Sequence, residues 1–199
     1  EAELDAIKQA QSKNIPIIGF DSGVPGAPEG AIKATASTDN HAAGGNAAEH
    51  LFKLLESKVG DKKVRIGVVS QEVNSLSITQ RTKGFIDKMV ELLNKKGIKT
   101  AVTGHDKFKN DVNEADAKVV IEVRVPAQVD DAAGKTEAST VLEKEDTIAI
   151  YGSNEFAAKA IINANGGFKE SKLGADKILA VGFDSGALQQ DAIRKGIFV

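Results

Sequence analysis

Ile18-Gly19-Phe20-Asp21-Ser22-Gly23 near the start of the chain and Val181-Gly182-Phe183-Asp184-Ser185-Gly186 near its end decide the reading of this sequence. In each copy an apolar run (Ile15 to Phe20, Ile178 to Phe183) stops at an aspartate followed by Ser-Gly. Helix-patterned sequence flanks both. An apolar run bounded by a turn cluster is the pattern of a strand buried in a parallel sheet. The aspartate then falls just past the strand's carboxyl end, where open α/β sheets bind their ligands. Two such copies predict two similar α/β halves, each offering a carboxylate at a sheet edge.

Around the first copy, residues 1 to 13 read as helix, opening at Glu1 without an N-cap and stopped by Lys13-Asn14. Gly23 to Gly30, with Pro25 and Pro28, reads as a surface loop, and Ala31 to Ala36 as a short strand. Ser37-Thr38-Asp39-Asn40 then supplies N-cap chemistry for a helix from His41 to about Lys58. Its Gly44-Gly45 pair costs helix propensity and so points to close packing or backbone approach. The polar, turn-like Val59-Gly60-Asp61-Lys62-Lys63 divides the chain into a partial first lobe, residues 1–60, and most of a second lobe, residues 61–199.

From Val64 onward strands and helices alternate. Val64 to Ser70 is a buried strand, Gln71 to Ile78 a polar loop, and a helix from about Thr79 to Lys96 places Phe85, Met89, Leu92 and Leu93 on one face. Ile98 to Val102 is a strand, and Gly104 to Ala117 an aperiodic stretch that reads as an inserted loop. Val119 to Val125 alternates around Glu122 and Arg124, as a strand of mixed exposure does. Asp130 or Asp131 caps a helix through Leu142, and Thr147 to Tyr151 is a strand ending at Gly152-Ser153-Asn154-Glu155. A helix from Phe156 to Asn163 is closed by Gly166-Gly167 before the strand Lys177 to Phe183. This order predicts doubly wound parallel sheets. Both ends read as cut, because Glu1 opens inside a helical pattern and Ile197-Phe198-Val199 has the character of a strand's beginning.

A length of 199 residues allows one large or two small domains with a real core. The net charge is −2 and the 26 Lys and Arg are spread along the chain, which gives nucleic-acid binding no electrostatic support. No apolar run approaches the roughly 20 residues of a membrane span. The absence of cysteine excludes disulfides, thiolate metal sites and cysteine nucleophiles. Gly134-Lys135-Thr136 suggests a phosphate loop, but Val129 stands where that motif needs its first glycine, and the tripeptide lies in a helical pattern. No GxGxxG follows a strand and no GxSxG occurs, which leaves dinucleotide binding and serine catalysis without a motif. His41, His50 and His105 are too scattered for a metal site and read as solvated or capping residues. The reading is of a non-enzyme with no catalytic residue, no metal and no cofactor.

The strand ends remain. Asp21 and Ser22 end one strand, Thr38 with Asp39 and Asn40 the next, Asn154 a third and Asp184 a fourth, while Arg81 lies near the start of a helix. Carboxylates, an amide, a hydroxyl and one guanidinium are the inventory for gripping a polyhydroxyl ligand. Charge-assisted hydrogen bonds contribute about 1.5–3 kcal/mol each, so four or five reach micromolar binding after the cost of association. Each residue also has a plainer role: Asp21 and Asp184 as caps of the following helices, Asn154 as a turn residue, and Arg81 as a solvated helix charge.

Five segments carry a family resemblance: IPIIGFDSG, ATASTDNHAAGGNAAEHL, the RTKGF at 81 to 85, IAIYGSNEFAAKAI and ILAVGFDSG. In this order, over nearly the whole chain, they resemble the type I periplasmic sugar-binding proteins, the ribose-binding-like receptors of ABC transporters. The same core occurs in lactose-repressor-type transcription regulators. The resemblance implies two similar Rossmann-like lobes, the first incomplete here, closing over a sugar-like ligand. It implies that Asp21, Ser22 and Thr38 face the ligand from the first lobe, and Arg81, Asn154, Phe183 and Asp184 from the second. Asp39 and Asn40 match a pair near the interlobe region and are read as cap and hinge residues. The implied partners are the membrane subunits of an ABC transporter or a chemoreceptor, with no nucleic acid bound by this chain. The implied location is the periplasm, or the outer surface of a Gram-positive bacterium on a lipid anchor. The alternative is the effector-binding core of a transcription regulator. The sequence departs from the pattern at Gly104 to Ala117, and at Gln128-Val129, where ribose receptors carry a stacking aromatic.

Overall fold

The computed structural model describes residues 2–60 and 62–199, so the expectations placed on Glu1 and Asp61 lie outside the described residues. The two glycine-bearing repeats end strands of two separate sheets. Helix α1 (Ala2–Ser12) leads through Asn14, in the left-handed region at φ 54°, into β1 (Ile17–Phe20). β1 pairs in parallel with β2 (Ile32–Ala36), Ile17 opposite Ile32 and Phe20 opposite Ala36, and these two strands are a sheet of their own. The halves are thus unequal: the second copy belongs to a sheet of five strands.

That larger sheet contains β3 (Val64–Val69), β4 (Thr100–Thr103), β5 (Val119–Arg124), β6 (Thr147–Gly152) and β7 (Leu179–Val181). All pairs are parallel, in the order β4-β5-β3-β6-β7. The chain therefore moves first to one side of β3 and then to the other. The point where it reverses lies between the carboxyl ends of β3 and β6, and this is where such sheets leave a crevice. Helices α2 (Asn40–Leu55) and α3 (Leu76–Lys95) cover one face; α4 (Asp131–Leu142), α5 (Glu155–Asn165) and α6 (Ala187–Arg194) lie on the other. Among the described residues no helix is long and apolar enough to cross a membrane.

The helices start where their caps dictate. Asp39 accepts from the Ala42 amide at 3.1 Å and Asp130 from that of Ala133 at 2.8 Å, which decides between Asp130 and Asp131. α3 begins at Leu76, earlier than the polarity of Gln71 to Ile78 suggests, because Ser77 and Ile78 are already buried. α2 buries Ala48, Leu51, Phe52 and Leu55 in the same cluster as Val64, Ile66 and Val68 of β3 and Phe85 and Met89 of α3. In packing it joins the five-stranded sheet, although a division at residue 60 would separate the two.

α2 and α3 cross at bare backbone. A Cβ added at Gly84 would lie 2.0 Å from the His41 carbonyl oxygen, and one at Gly44 2.2 Å from that of Arg81. This is the close approach that the glycine pair in α2 suggests. Gly134-Lys135-Thr136 lies inside α4, with the Thr136 hydroxyl donating to the Ala132 carbonyl.

β5 differs from expectation. Glu122 is buried, not half-exposed, because its carboxylate accepts from Arg65 at 2.6 Å and from Lys144 at 2.6 Å. Arg65 also pairs with Asp146 and Glu114. Burial opposes the Arg65 charge, yet those hydrogen bonds outweigh it and raise its pKa. The stretch 104–117 connects two neighbouring parallel strands and is tied down along its length. Phe108 is buried, Asn110 bonds the backbone of Val102 and Thr100, and Lys107 donates to the Val73 carbonyl.

Candidate functional site

Arg81 organises the crevice. It sits in the second turn of α3, beside the Gly44–Gly84 crossing, with its side chain 11% exposed. The backbone contact between α2 and α3 places it against the first residue of α2. There its Nε donates to Asn40 Oδ1 at 2.8 Å. Asn40, itself buried, turns its Nδ2 to the Thr38 carbonyl at 3.0 Å. With one end so fixed, the guanidinium carbon lies 4.0 Å from the centre of the Phe183 ring. Its Nη1 reaches the two carboxylate oxygens of Asp184 at 3.3 and 3.5 Å. A cation over an aromatic face and beside a carboxylate is held in one orientation.

Asp184 receives this contact because of an unusual backbone. Its φ is 69°, in the left-handed region that residues other than glycine seldom occupy and that aspartate tolerates better than most. The turn points the carboxylate back over the sheet, where Oδ2 also accepts from the Glu155 amide at the start of α5, 2.9 Å away. Gln189, buried in α6, closes the turn: Nε2 donates to the Phe183 carbonyl at 2.7 Å and Oε1 accepts from the Gly186 amide at 3.3 Å.

Asn154 ends β6 and caps α5, its Oδ1 accepting from the Ala157 amide at 3.0 Å. Its Nδ2 donates to Gln71 Oε1 at 2.5 Å, across the crevice between β6 and β3. Tyr151 of β6 and Ser153 just past it carry two buried hydroxyls, Tyr151 Oη and Ser153 Oγ, with no hydrogen-bonding partner among the described residues. Tyr151 stacks on Phe85 with ring centres 4.1 Å apart. Burial pushes its phenol pKa far up, while Arg81 lowers it and Asp184 raises it by smaller amounts.

Of the residues expected at the site, Arg81, Phe183 and Asp184 thus come together, and Asn154 lies next to them through Glu155. Asn40, read as a hinge residue, is the anchor of Arg81. Asp21, Ser22 and Thr38 do not join this cluster through their side chains. Asp21 is exposed at the end of β1 with φ 64°, and its side chain has no hydrogen-bonding partner among the described residues. Ser22 lines a cavity of about 600 Å³ between α1, its own loop and residues 74–76. Thr38 is exposed and enters only through its carbonyl. Sequence reasoning missed Gln71 and Gln189, polar residues in a loop and a helix with no motif; the position of Gln71 just past a buried strand was the available signal. Of the histidines, His41 pairs with Asp87 at 3.0 Å, and His105 accepts from the Lys107 amide. Among the described residues no group of three or more histidines and carboxylates is placed to hold a metal ion.

The model of the family described as periplasmic binding protein domain matches residues 1–199. No curated protein matches. Among solved structures, the chain is similar to an ABC transporter, LacI family transcriptional regulator from Brachyspira murdochii: 32% identity, TM-score 0.79, covering 98% of this chain and 60% of that one. It is also similar to an ABC transporter solute binding protein from Agrobacterium vitis with bound D-fucose: 25% identity, TM-score 0.72, 98% of this chain and 56% of that one. A glucose-galactose binding protein from Geobacillus stearothermophilus shares the fold at 20% identity and TM-score 0.69, with 98% of this chain and 57% of that one covered. The chain therefore spans less than two thirds of the length of these structures. The five-stranded sheet is one lobe of the type I architecture and the β1–β2 sheet an incomplete other.

Proposed function

We propose that this chain, which belongs to the periplasmic binding protein family, carries most of the ligand-gripping apparatus of a sugar receptor that works outside the cytoplasm. The observation that carries the reading is the Arg81 assembly. A guanidinium stacked on Phe183 and paired with Asp184 sits beside Asn154 at the crevice where the sheet order reverses. An ionised carboxylate accepts two hydroxyl protons, guanidinium donates to the hydroxyl oxygens, and the amide does both. The D-fucose bound by the Agrobacterium vitis protein is a ligand of this chemistry.

Asp21, Ser22 and Thr38 are the contribution of the other lobe. They meet the ligand when the lobes close, and contacts that only the closed state makes drive closure. The crossing between lobes runs through residues 37–39, because α2 already packs on the five-stranded sheet. The closed form then delivers its sugar to the membrane subunits of an ABC transporter without chemical change. Calorimetric titration of the longest natural polypeptide containing this sequence, with pentoses, hexoses and their deoxy derivatives, tests the reading. Micromolar binding of at least one sugar, lost in Arg81→Ala, is expected. No heat from any of them overturns it.

The name of the Brachyspira murdochii protein favours a second reading, the effector core of a transcription regulator. Specific retention of an operator-length duplex by the same polypeptide, released by the sugar, would select it.

A further inference from the structure

The geometry points to Gln71 as a specificity-determining residue, and we propose that its side-chain NH2 donates to one hydroxyl of the bound sugar. The proposal rests on the sugar-receptor reading and adds a contact to it.

The argument runs through amide orientation. Asn154 cannot turn its side chain over, because Oδ1 must face the Ala157 amide that it caps at 3.0 Å. Nδ2 therefore faces β3 and donates to Gln71 at 2.5 Å. Only an oxygen can accept that bond, so Gln71 is fixed as well, Oε1 towards Asn154 and Nε2 away from it. Nε2 has the Glu72 carboxylate at 3.5 Å, a long contact that leaves donor capacity over. Gln71 follows the carboxyl end of β3 and Asn154 that of β6, the two neighbouring strands between which the order reverses. The spare donor thus stands at the crevice wall, half-buried and aimed by a helix cap. The loop carrying it is braced at Val73, whose carbonyl accepts from both Thr79 and Lys107. Such a preset donor discriminates among sugars by whether an oxygen lies opposite it.

Two substitutions in the same polypeptide separate contact from support. Gln71→Glu keeps an acceptor for Asn154 and removes the donor; Gln71→Met removes both. The deoxy-sugar series is the readout. In the unaltered protein one deoxy position weakens binding about tenfold, the loss of one hydrogen bond. In Gln71→Met that same position is expected to carry no penalty, and in Gln71→Glu, where the carboxylate can only accept from the hydroxyl, an altered one, while the other positions keep theirs. In the unaltered protein the side-chain NH2 resonance of Gln71 is also expected to shift when sugar is added, a reading independent of either variant's folding. An unchanged deoxy profile in both variants, or an unmoved resonance on saturation, overturns the assignment. If Arg81→Ala still abolishes binding in that case, the receptor reading survives; if the unaltered protein binds no sugar, both fall.

Discussion

The two copies of Gly-Phe-Asp-Ser-Gly share a backbone and little else. Both aspartates are left-handed, φ 64° at Asp21 and 69° at Asp184. Yet Phe20 is 81% exposed, whereas Phe183 lies under the Arg81 guanidinium. The carboxylate of Asp184 is held by Arg81 and by the Glu155 amide, whereas that of Asp21 has no hydrogen-bonding partner among the described residues. The motif encodes a turn that lifts a carboxylate off a strand end. What the carboxylate then touches is decided by residues far away in sequence: Gly44 and Gly84, which let α2 and α3 meet, and Asn40, which anchors Arg81.

Breaking that remote support gives the largest expected effect. Gly84→Ala sets a methyl 2.0 Å from the His41 carbonyl, and neither helix backbone yields locally. The helices must separate, at a cost of about 3 kcal/mol in chemical denaturation, and Arg81 loses Asn40 with them. Within the motif, the glycine before the phenylalanine offers a matched pair. A Cβ at Gly182 meets the Gln189 amide nitrogen at 2.8 Å, whereas one at Gly19 meets the mobile end of Thr35 at 3.1 Å. Gly182→Ala is expected to cost about 2 kcal/mol and Gly19→Ala under about 1 kcal/mol. Equal costs would mean that the copies are equally supported.

The aspartates extend the comparison with opposite signs. Asp21→Gly relieves a left-handed residue without losing a contact. It is expected to raise stability by roughly 0.5 kcal/mol, once the greater freedom of glycine in the unfolded chain is deducted. Asp184→Gly gains the same relief but loses the bonds to Arg81 and Glu155. The carboxylate is partly exposed, at 37%, so the net loss is about 1 kcal/mol rather than the full value of a buried pair. Thermal unfolding of the two variants side by side checks the signs.

These contrasts mark what the sequence could disclose. The strands of the large sheet, the Asp39 cap and the close approach at Gly44-Gly45 follow from local pattern: apolar runs, cap chemistry and glycine within a helix. The burial of Glu122 does not, because alternation with charged residues reads as exposure unless Arg65 and Lys144 are known to stand opposite. Nor does the inequality of the two copies, since identical residues are buried or bare according to how many strands lie beside them. Gln71 offered only its position past a buried strand, for the same reason. Its meaning comes from Asn154, a neighbour only across the sheet.

The last expected effect, comparable in size to those at the aspartates, concerns what lies beneath the second copy alone. Tyr151 is stacked on Phe85 and fully buried, and its hydroxyl has no hydrogen-bonding partner among the described residues. Tyr151→Phe keeps the stack and removes the orphaned group, so stability at pH 7 is expected to rise by up to about 1 kcal/mol. The pH profile gives a sharper test. Burial raises the folded-state phenol pKa well above its ordinary value of 10.0. Above about pH 10 the unfolded chain releases this proton while the folded chain keeps it, so the unfolded state binds fewer protons and stability falls as pH rises. The contribution is complete below pH 10 and is lost on the way up to the folded-state pKa. Removing the phenol removes that part of the alkaline slope, so the gain of Tyr151→Phe over the parent widens as pH is raised from 9 to 11. A gain constant across that range would mean that the hydroxyl is as well solvated in the folded protein as in the unfolded one. The floor of the second copy would then be wet, and no more specialised than the exposed surroundings of the first.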